Sequence, residues 1–322
     1  MQEVSKDIFY QLVSAFRWIP YTQTLAYNLS IVAESTLHFY IDDTDCPSIG
    51  LVGYERRKAG LRMLCVNGEC LLSLQTDRKK YSAFYKAIQE TGFDICELNI
   101  STPYTANAEI AMRTAGWLRP VGLFSTTLSK IIPTASAATY DRSWKHNLKK
   151  AHQAPVSLHI TENFDRETIQ AYMTCHQEHT MRKGYRDPLS ESGLAELGKD
   201  SHFKMAYVTN SGGKMIAGHI FYMHPLASSS MYAFTTMEGR ETGAAYLLYE
   251  GITAYLAENK VDTFDAGRLS PAAHSKNNIF LFKDGIGGDY VQYLGEWLWC
   301  RRRWMPLALY FLKKHIWKRV QV

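Results

Sequence analysis

Residues 237–289 read MEGRETGAAYLLYEGITAYLAENKVDTFDAGRLSPAAHSKNNIFLFKDGIGGD, and three pieces of chemistry follow one another there. Arg240-Glu-Thr-Gly243-Ala-Ala245 comes directly after a strand-like run over 231–236. It directly precedes a helical pattern marked by Leu248, Ile252, Tyr255 and Leu256. A glycine turn that opens a helix leaves backbone N–H groups unpaired at the positive end of the helix dipole, where a pyrophosphate or another anion can be held. Thr263-Phe-Asp265-Ala-Gly267-Arg268 then reads as a short buried strand that breaks at Gly267 into a polar loop. Asp265, late in that strand, is the best carboxylate candidate for a general base, with bracing of the loop as its plainer role. Finally, Phe282-Lys283-Asp-Gly285-Ile-Gly287-Gly288 puts a lysine beside three glycines, where backbone can approach a ligand closely. The plainer reading of this last piece is a solvated loop.

The order of three strands, anion turn, helix, strand, loop and Phe-Lys-x-Gly resembles the GNAT acyltransferase superfamily, whose acyl-CoA turn is written Q/R-x-x-G-x-G/A. The F-K-x-G-x-G-G ending resembles more narrowly the FemAB family, which builds peptidoglycan interpeptide bridges from aminoacyl-tRNA, and its CoA-using relatives. Two further phrases are similar to that family. Pro20-x-x-Gln23-x-x-x-Tyr27 matches an opening P-x-x-Q-x-x-x-W except for Tyr27. Asn147, Lys149, Lys150 and Ala151 lie on a short basic segment like the R-x-N-I-K-K-A helix, with Leu148 in place of the isoleucine.

The resemblance covers nearly the whole chain. It implies an α+β fold of tandem GNAT-like domains, each a mixed, mostly antiparallel sheet flanked by helices. It implies an acyltransferase acting on an amine, with aminoacyl-tRNA or acyl-CoA as donor substrate and no obligatory cofactor. The acceptor it implies is a peptidoglycan precursor or another amine. Lys283 would lie near the acyl-linked end of the donor; Asp265, singled out by its place at the end of a strand, is the second catalytic candidate. Arg240, Gly243, Ala245, Phe282, Gly285 and Gly287 are the donor-binding candidates, and Asn147, Lys149 and Arg268 the acceptor-binding ones. The coiled-coil arm that some members insert has no counterpart, since nothing between 165 and 203 sustains heptads.

The rest of the chain fits two domains, 1–135 and 136–322, a division ordinary for 322 residues. Each half carries strands around a Gly-containing hairpin signal, Asn67-Gly68 in the first and Asn210-Ser-Gly212-Gly213 in the second. A small-residue run over 134–139 suggests the connector. Hydrophobic content of 46% and aromatic content of 13% suit well-packed cores rather than disorder. No apolar run approaches spanning length and no signal segment is visible, so a cytoplasmic location is expected, extending to the inner face of the membrane. Six scattered cysteines show no zinc spacing, although Cys65 and Cys70 would face each other across the first hairpin. His176 and His179, with Cys175 and Glu178, share a helical turn but lack a third ligand cluster, so no metal is expected.

The net charge of +5 is unevenly placed. Arg301, Arg302, Arg303, Lys313, Lys314, Lys318 and Arg319 follow Cys300 with no acidic residue, leaving 29 basic against 31 acidic residues before them. Leu309, Leu312, Ile316 and Val320 follow helix spacing there. Such a segment suits a closing helix packed on the second domain, or peripheral contact with an anionic membrane, or RNA. A non-catalytic membrane- or RNA-binding module is therefore a third functional class beside the two transferases.

Overall fold

A computed structural model describes residues 1–75, 77–119, 128–134, 140–184, 189–269, 278–312 and 315. In chain order the elements begin with β1 (Gln2–Glu3), α1 (Lys6–Val13), α2 (Leu25–Ile31), β2 (Leu37–Ile41), β3 (Ile49–Lys58), β4 (Leu61–Asn67) and β5 (Cys70–Leu71). Next come α3 (Arg78–Ile88), β6 (Ile95–Pro103), α4 (Ala106–Thr114), β7 (Leu128–Pro133), α5 (Arg142–Gln153), β8 (Val156–Thr161), α6 (Arg166–Lys183) and α7 (Glu191–Leu197). β9 (Phe203–Asn210), β10 (Met215–Tyr222), β11 (Ser229–Thr235), α8 (Met237–Thr242), α9 (Ala244–Glu258), β12 (Thr263–Arg268), α10 (Asn278–Asp284), β13 (Asp289–Cys300) and α11 (Met305–Phe311) complete the chain. Side-chain acceptors start most of these helices. Asp77, Thr105, Asp141, Asp165, Ser190 and Thr236 each accept a bond from a backbone N–H three residues on, satisfying a donor the first turn leaves open.

The chain divides into two units. The first comprises 1–23, 32–128 and 291–322; the second comprises 24–31 and 129–290. In the first unit the strands run β1-β2-β3-β4-β6-β13, antiparallel except for β4 and β6. That parallel pair stays in register from Met63↔Ile95 to Asn67↔Asn99. In the second unit the order is β7-β12-β11-β10-β9-β8, antiparallel except for β11 and β12. β10, MIAGHIFY, is buried throughout because α6 and α9 both pack on it. Both units are therefore mixed, mostly antiparallel sheets flanked by helices, as expected.

Four local expectations change. Asn67-Gly68 is not a hairpin, because the open edge of β4 is taken by β6. Gly68 N–H donates to Asn99 O at 2.8 Å, and the chain returns to β3 through the short β5. Cys65 and Cys70 are buried free thiols. Residues 282–284 are not loop but the last turn of α10. The division at 135/136 also differs from the compact units, since 291–322 pack with the first. Residues 293–300 of β13 pair with β6, and Met305 and Leu309 of α11 bury against Ile95 and Leu298. The helix after Pro306 thus covers the first unit's sheet rather than the second domain. Leu312 ends the continuous described chain, and Lys313, Lys314, Ile316, Lys318, Arg319 and Val320 lie outside the described residues, as do 123–127 and 135–139.

The first unit also holds a fully buried carboxylate. Glu69 accepts from Thr102 Oγ1 at 2.8 Å, from Tyr81 Oη at 2.7 and 2.9 Å, and from Tyr85 Oη. Burial raises its pKa against the opposing effect of those hydroxyls. A carboxyl that keeps its proton longer when folded makes stability fall as pH rises from the ordinary carboxylate range through the raised value, then level off. Urea titrations from pH 4 to 8 should show that slope in the parent and its loss in Glu69→Gln. Parallel curves would mean Glu69 titrates alike in both states.

Candidate active site

β11 and β12 lie side by side and parallel, yet only Ser229↔Asp265 is in register. That point is closed by Asp265 N–H donating to Ser228 O at 2.9 Å. Beyond it no further pair is in register, which leaves a gap in the ladder toward the C-terminal end of β11, the strand that leads into α8, Gly243 and α9. A gap between parallel strands exposes backbone donors and acceptors that a ladder would otherwise consume.

Polar side chains from six elements gather beside this single pair. His219 on β10 is fully buried, and its Nε2 lies 2.7 Å from Ser230 Oγ on β11. Burial, reinforced by the neighbouring Lys283 charge, pushes His219 down to about 3, so the ring is neutral at ordinary pH. Tyr249 on α9 packs its ring 5.2 Å from His219 and donates to Ala266 O at 3.4 Å. Asp265 Oδ1 accepts from Gly267 N–H at 2.8 Å and from Ser129 Oγ. The carboxylate therefore braces the start of the loop, the plainer of its two expected roles, while sitting beside the gap.

Lys283 completes the group. Its half-buried ammonium donates to Arg268 O at 3.1 Å and faces Gly267, where a β-carbon would fall 3.2 Å from Nζ. Desolvation lowers its pKa to about 8, and Asp265 partly offsets that fall. α10 is anchored by Phe282, whose ring packs among Tyr246, Tyr249 and Trp144, and whose carbonyl accepts Trp144 Nε1 at 3.0 Å. Phe282 thus holds the lysine in place from the core. Gly285 permits close contact with α5, since a β-carbon there would lie 2.8 Å from Asp141 Oδ2 and 3.1 Å from Trp144 Cδ1. Gly287 N–H closes the turn on Asp284 O at 3.2 Å.

The predicted anion turn has a different form. Residues 237–242 are already helical, because Thr236 caps them, so exposed Arg240 projects from α8 rather than from a turn. Gly243, at φ +76°, is the left-handed joint between α8 and α9, and no side chain caps α9. A β-carbon on Gly243 would meet Asn147 O at 3.0 Å and Ala151 Cβ at 3.3 Å, so close packing on α5 alone accounts for a glycine. Ala245 lies in the first turn of α9. On α5, Lys149 is exposed and the Asn147 amide donates back to Ser143 O at 2.9 Å; Arg268 is exposed at the end of β12.

Lys283, Asp265, Gly267 and Arg268 are thus brought together. Ser230, Ser129 and Tyr249 were not singled out in the sequence. Two adjacent serines in an otherwise apolar strand, Ser229 and Ser230, were the available signal. Ser230→Ala would strand the His219 ring nitrogen and should cost about 1–3 kcal/mol in denaturant unfolding. An unchanged midpoint would detach the pair from stability. Among the described residues, no group of three or more His, Cys, Asp or Glu is placed to hold a metal. His179 Nδ1 instead lies against the Thr235 backbone and Arg182.

Two mixed sheets, the second with a parallel pair joined at a single register, make up a tandem GNAT-like fold. FemX has this fold at a TM-score of 0.78 and 10% identity, over 96% of this chain and 100% of its own. L-PGS from Bacillus licheniformis is similar at a TM-score of 0.64 and 11% identity, over 98% of each chain. A tandem GNAT protein from the clavulanic acid biosynthesis pathway is similar at 0.53 and 10% identity, over 92% of this chain and 97% of its own. No protein-family model and no curated protein matches the sequence.

Proposed function

We propose that this chain is a FemAB-type N-acyltransferase that takes an aminoacyl-tRNA donor into the gap between β11 and β12. It would pass the aminoacyl group to an amine of a peptidoglycan precursor. The observation that carries the reading is the single-register parallel pair, Ser229↔Asp265, with the Lys283 ammonium beside it. Support comes from the FemX-like fold along the whole chain and from the F-K-x-G-x-G-G phrase at 282–288.

In this reaction the acceptor nitrogen attacks the donor's acyl carbonyl. An N–C bond forms, the C–O bond to the tRNA ribose breaks, and the proton lost by the amine ends on the departing ribose oxygen. Lys283 stabilises the developing oxyanion as a preorganised cation in a partly dehydrated site. Ser230, oriented by neutral His219, offers a hydroxyl beside it. Asp265 holds the Gly267 backbone so that the gap keeps its width, and Asn147, Lys149 and Arg268 are the acceptor's contacts. Holding both substrates in line supplies much of the acceleration without an obligatory nucleophile.

An acyl-CoA donor on the same site is the second reading, favoured by the R-x-x-G-x-A pattern of Arg240, Gly243 and Ala245 and by the uncapped start of α9 at Gly243. For that donor a C–S bond breaks and the thiolate takes the proton. Purified protein given charged tRNA or acetyl-CoA separately, with a precursor peptide as acceptor, separates the two. Transfer from CoA alone eliminates the tRNA reading, and tight tRNA binding without transfer would make the chain a binding module. A tRNA donor places the enzyme in the cytoplasm. Among the described residues, no helix is long and apolar enough to cross a membrane.

A further inference from the structure

We infer that the first unit docks on an anionic lipid surface through α11 and the arginine turn before it. α11 presents two apolar arcs rather than one. Met305 and Leu309 are spent on the core, packed against Ile95 and Leu298 with Leu61 and Met63 alongside. Trp304, Leu307 and Phe311, spaced i, i+3 and i+7, share the other arc and are 60%, 75% and 58% exposed. Three large apolar side chains aligned on one exposed arc of a short helix are unlike singly scattered surface hydrophobics and mark a contact surface.

The charge around that arc selects the partner. Arg301, Arg302 and Arg303 are exposed in the turn leading into α11, and no acidic residue follows them in the sequence. Arg301 is held to Asp94 at 4.0 Å, while Arg302 and Arg303 have no acidic partner among the described residues. The β3–β4 hairpin, whose Leu61 and Met63 pack beneath α11, adds exposed Arg56, Arg57 and Lys58 at its tip. Glu55 answers Arg57 and Arg62 there, at 2.6 and 2.7 Å. Exposed Trp, Leu and Phe preceded by an exposed arginine turn fit a bilayer interface, where aromatic and aliphatic side chains enter the headgroup boundary and arginines meet lipid phosphates. RNA would use the same cations but leave the apolar arc in water.

The inference stands independently of the acyl-transfer reading, because the soluble transfer assay involves no lipid. Its test is flotation of the nuclease-treated protein with phosphatidylglycerol-containing vesicles and with pure phosphatidylcholine vesicles, at one low salt concentration. The parent should float with the anionic vesicles only. Trp304→Ser/Leu307→Ser/Phe311→Ser and, separately, Arg302→Glu/Arg303→Glu should each lower the partition coefficient by about tenfold or more. All these side chains are exposed, so the melting temperature should not move. A parent that stays unbound, equal binding to neutral vesicles, or a triple variant that floats like the parent would overturn the inference. Arginine-dependent binding of tRNA without vesicle binding would assign the cations to RNA and overturn it equally.

Discussion

Replacing Lys283 with methionine is expected to make the protein slower and more stable at once. Loss of a cation that acts on the transition state removes about 2.7–4 kcal/mol, or roughly 10²–10³-fold in turnover. Stability moves the other way, because the lysine's pKa is about 8 in the folded chain against an ordinary 10.5. Below pH 8 both states carry the charge, and the folded state bears the full cost of its desolvation. Between pH 8 and about 10.5 the unfolded chain binds the extra proton, so parental stability rises with pH across that window. The methionine variant should therefore be more stable by about 1–3 kcal/mol at pH 7, after allowing for screening of the partly exposed ammonium. That advantage should fade above pH 10. In the parent, turnover that needs the ammonium should decline as pH rises through about 8. Denaturant midpoints and single-turnover rates across this range check both halves. Unchanged turnover in a folded variant would return Lys283 to a surface role.

Gly243→Val should carry the second large effect, with two separable origins. The left-handed backbone at φ +76° costs a non-glycine residue about 1–2 kcal/mol. The added side chain must also displace α5, whose Asn147 O and Ala151 Cβ stand 3.0 and 3.3 Å from a β-carbon. A total loss of about 2–4 kcal/mol in urea unfolding is expected from these sources. If the backbone at the start of α9 also meets donor phosphate, donor affinity measured well below the variant's melting temperature should fall as well. Lost stability with unchanged donor affinity would confine Gly243 to joining the two helices.

These two residues also mark what could be read from the chain. Elements with clear local boundaries, such as α6 between its Asp165 and Gly184 caps or the β9–β10 hairpin at 210–213, were legible because local chemistry alone decides them. Asn67-Gly68 was misread because a turn signal says nothing of which strand competes for the edge, and β6 won it from a distance. The segment after Cys300 was assigned to the wrong partner for the same reason: its apolar residues show that it packs, but not on what. At the site, Lys283 and Asp265 stood out by residue type and neighbourhood. The His219–Ser230 pair did not, since its meaning lies in a cross-strand register that period-2 patterning cannot supply. Gly243 and Gly285 were legible as special positions, but the contact that demands them, the backbone and side chains of α5, was not.

The central claim is that the donor enters the gap between β11 and β12 of the second unit. Amide hydrogen exchange followed by mass spectrometry, with and without saturating donor, tests it most directly. Past Ser229 β11 has no register with β12, and α9 begins without a side-chain cap, so the amides there that neither β10 nor the first turn of α9 engages should exchange readily in the free protein. Charged tRNA, or acetyl-CoA if that is the donor, should protect 230–235, 244–246 and 265–268, and Lys283→Met should weaken that protection. Protection confined to the first unit, or saturation with donor that leaves β11, the start of α9 and β12 exchanging as before, would contradict the account.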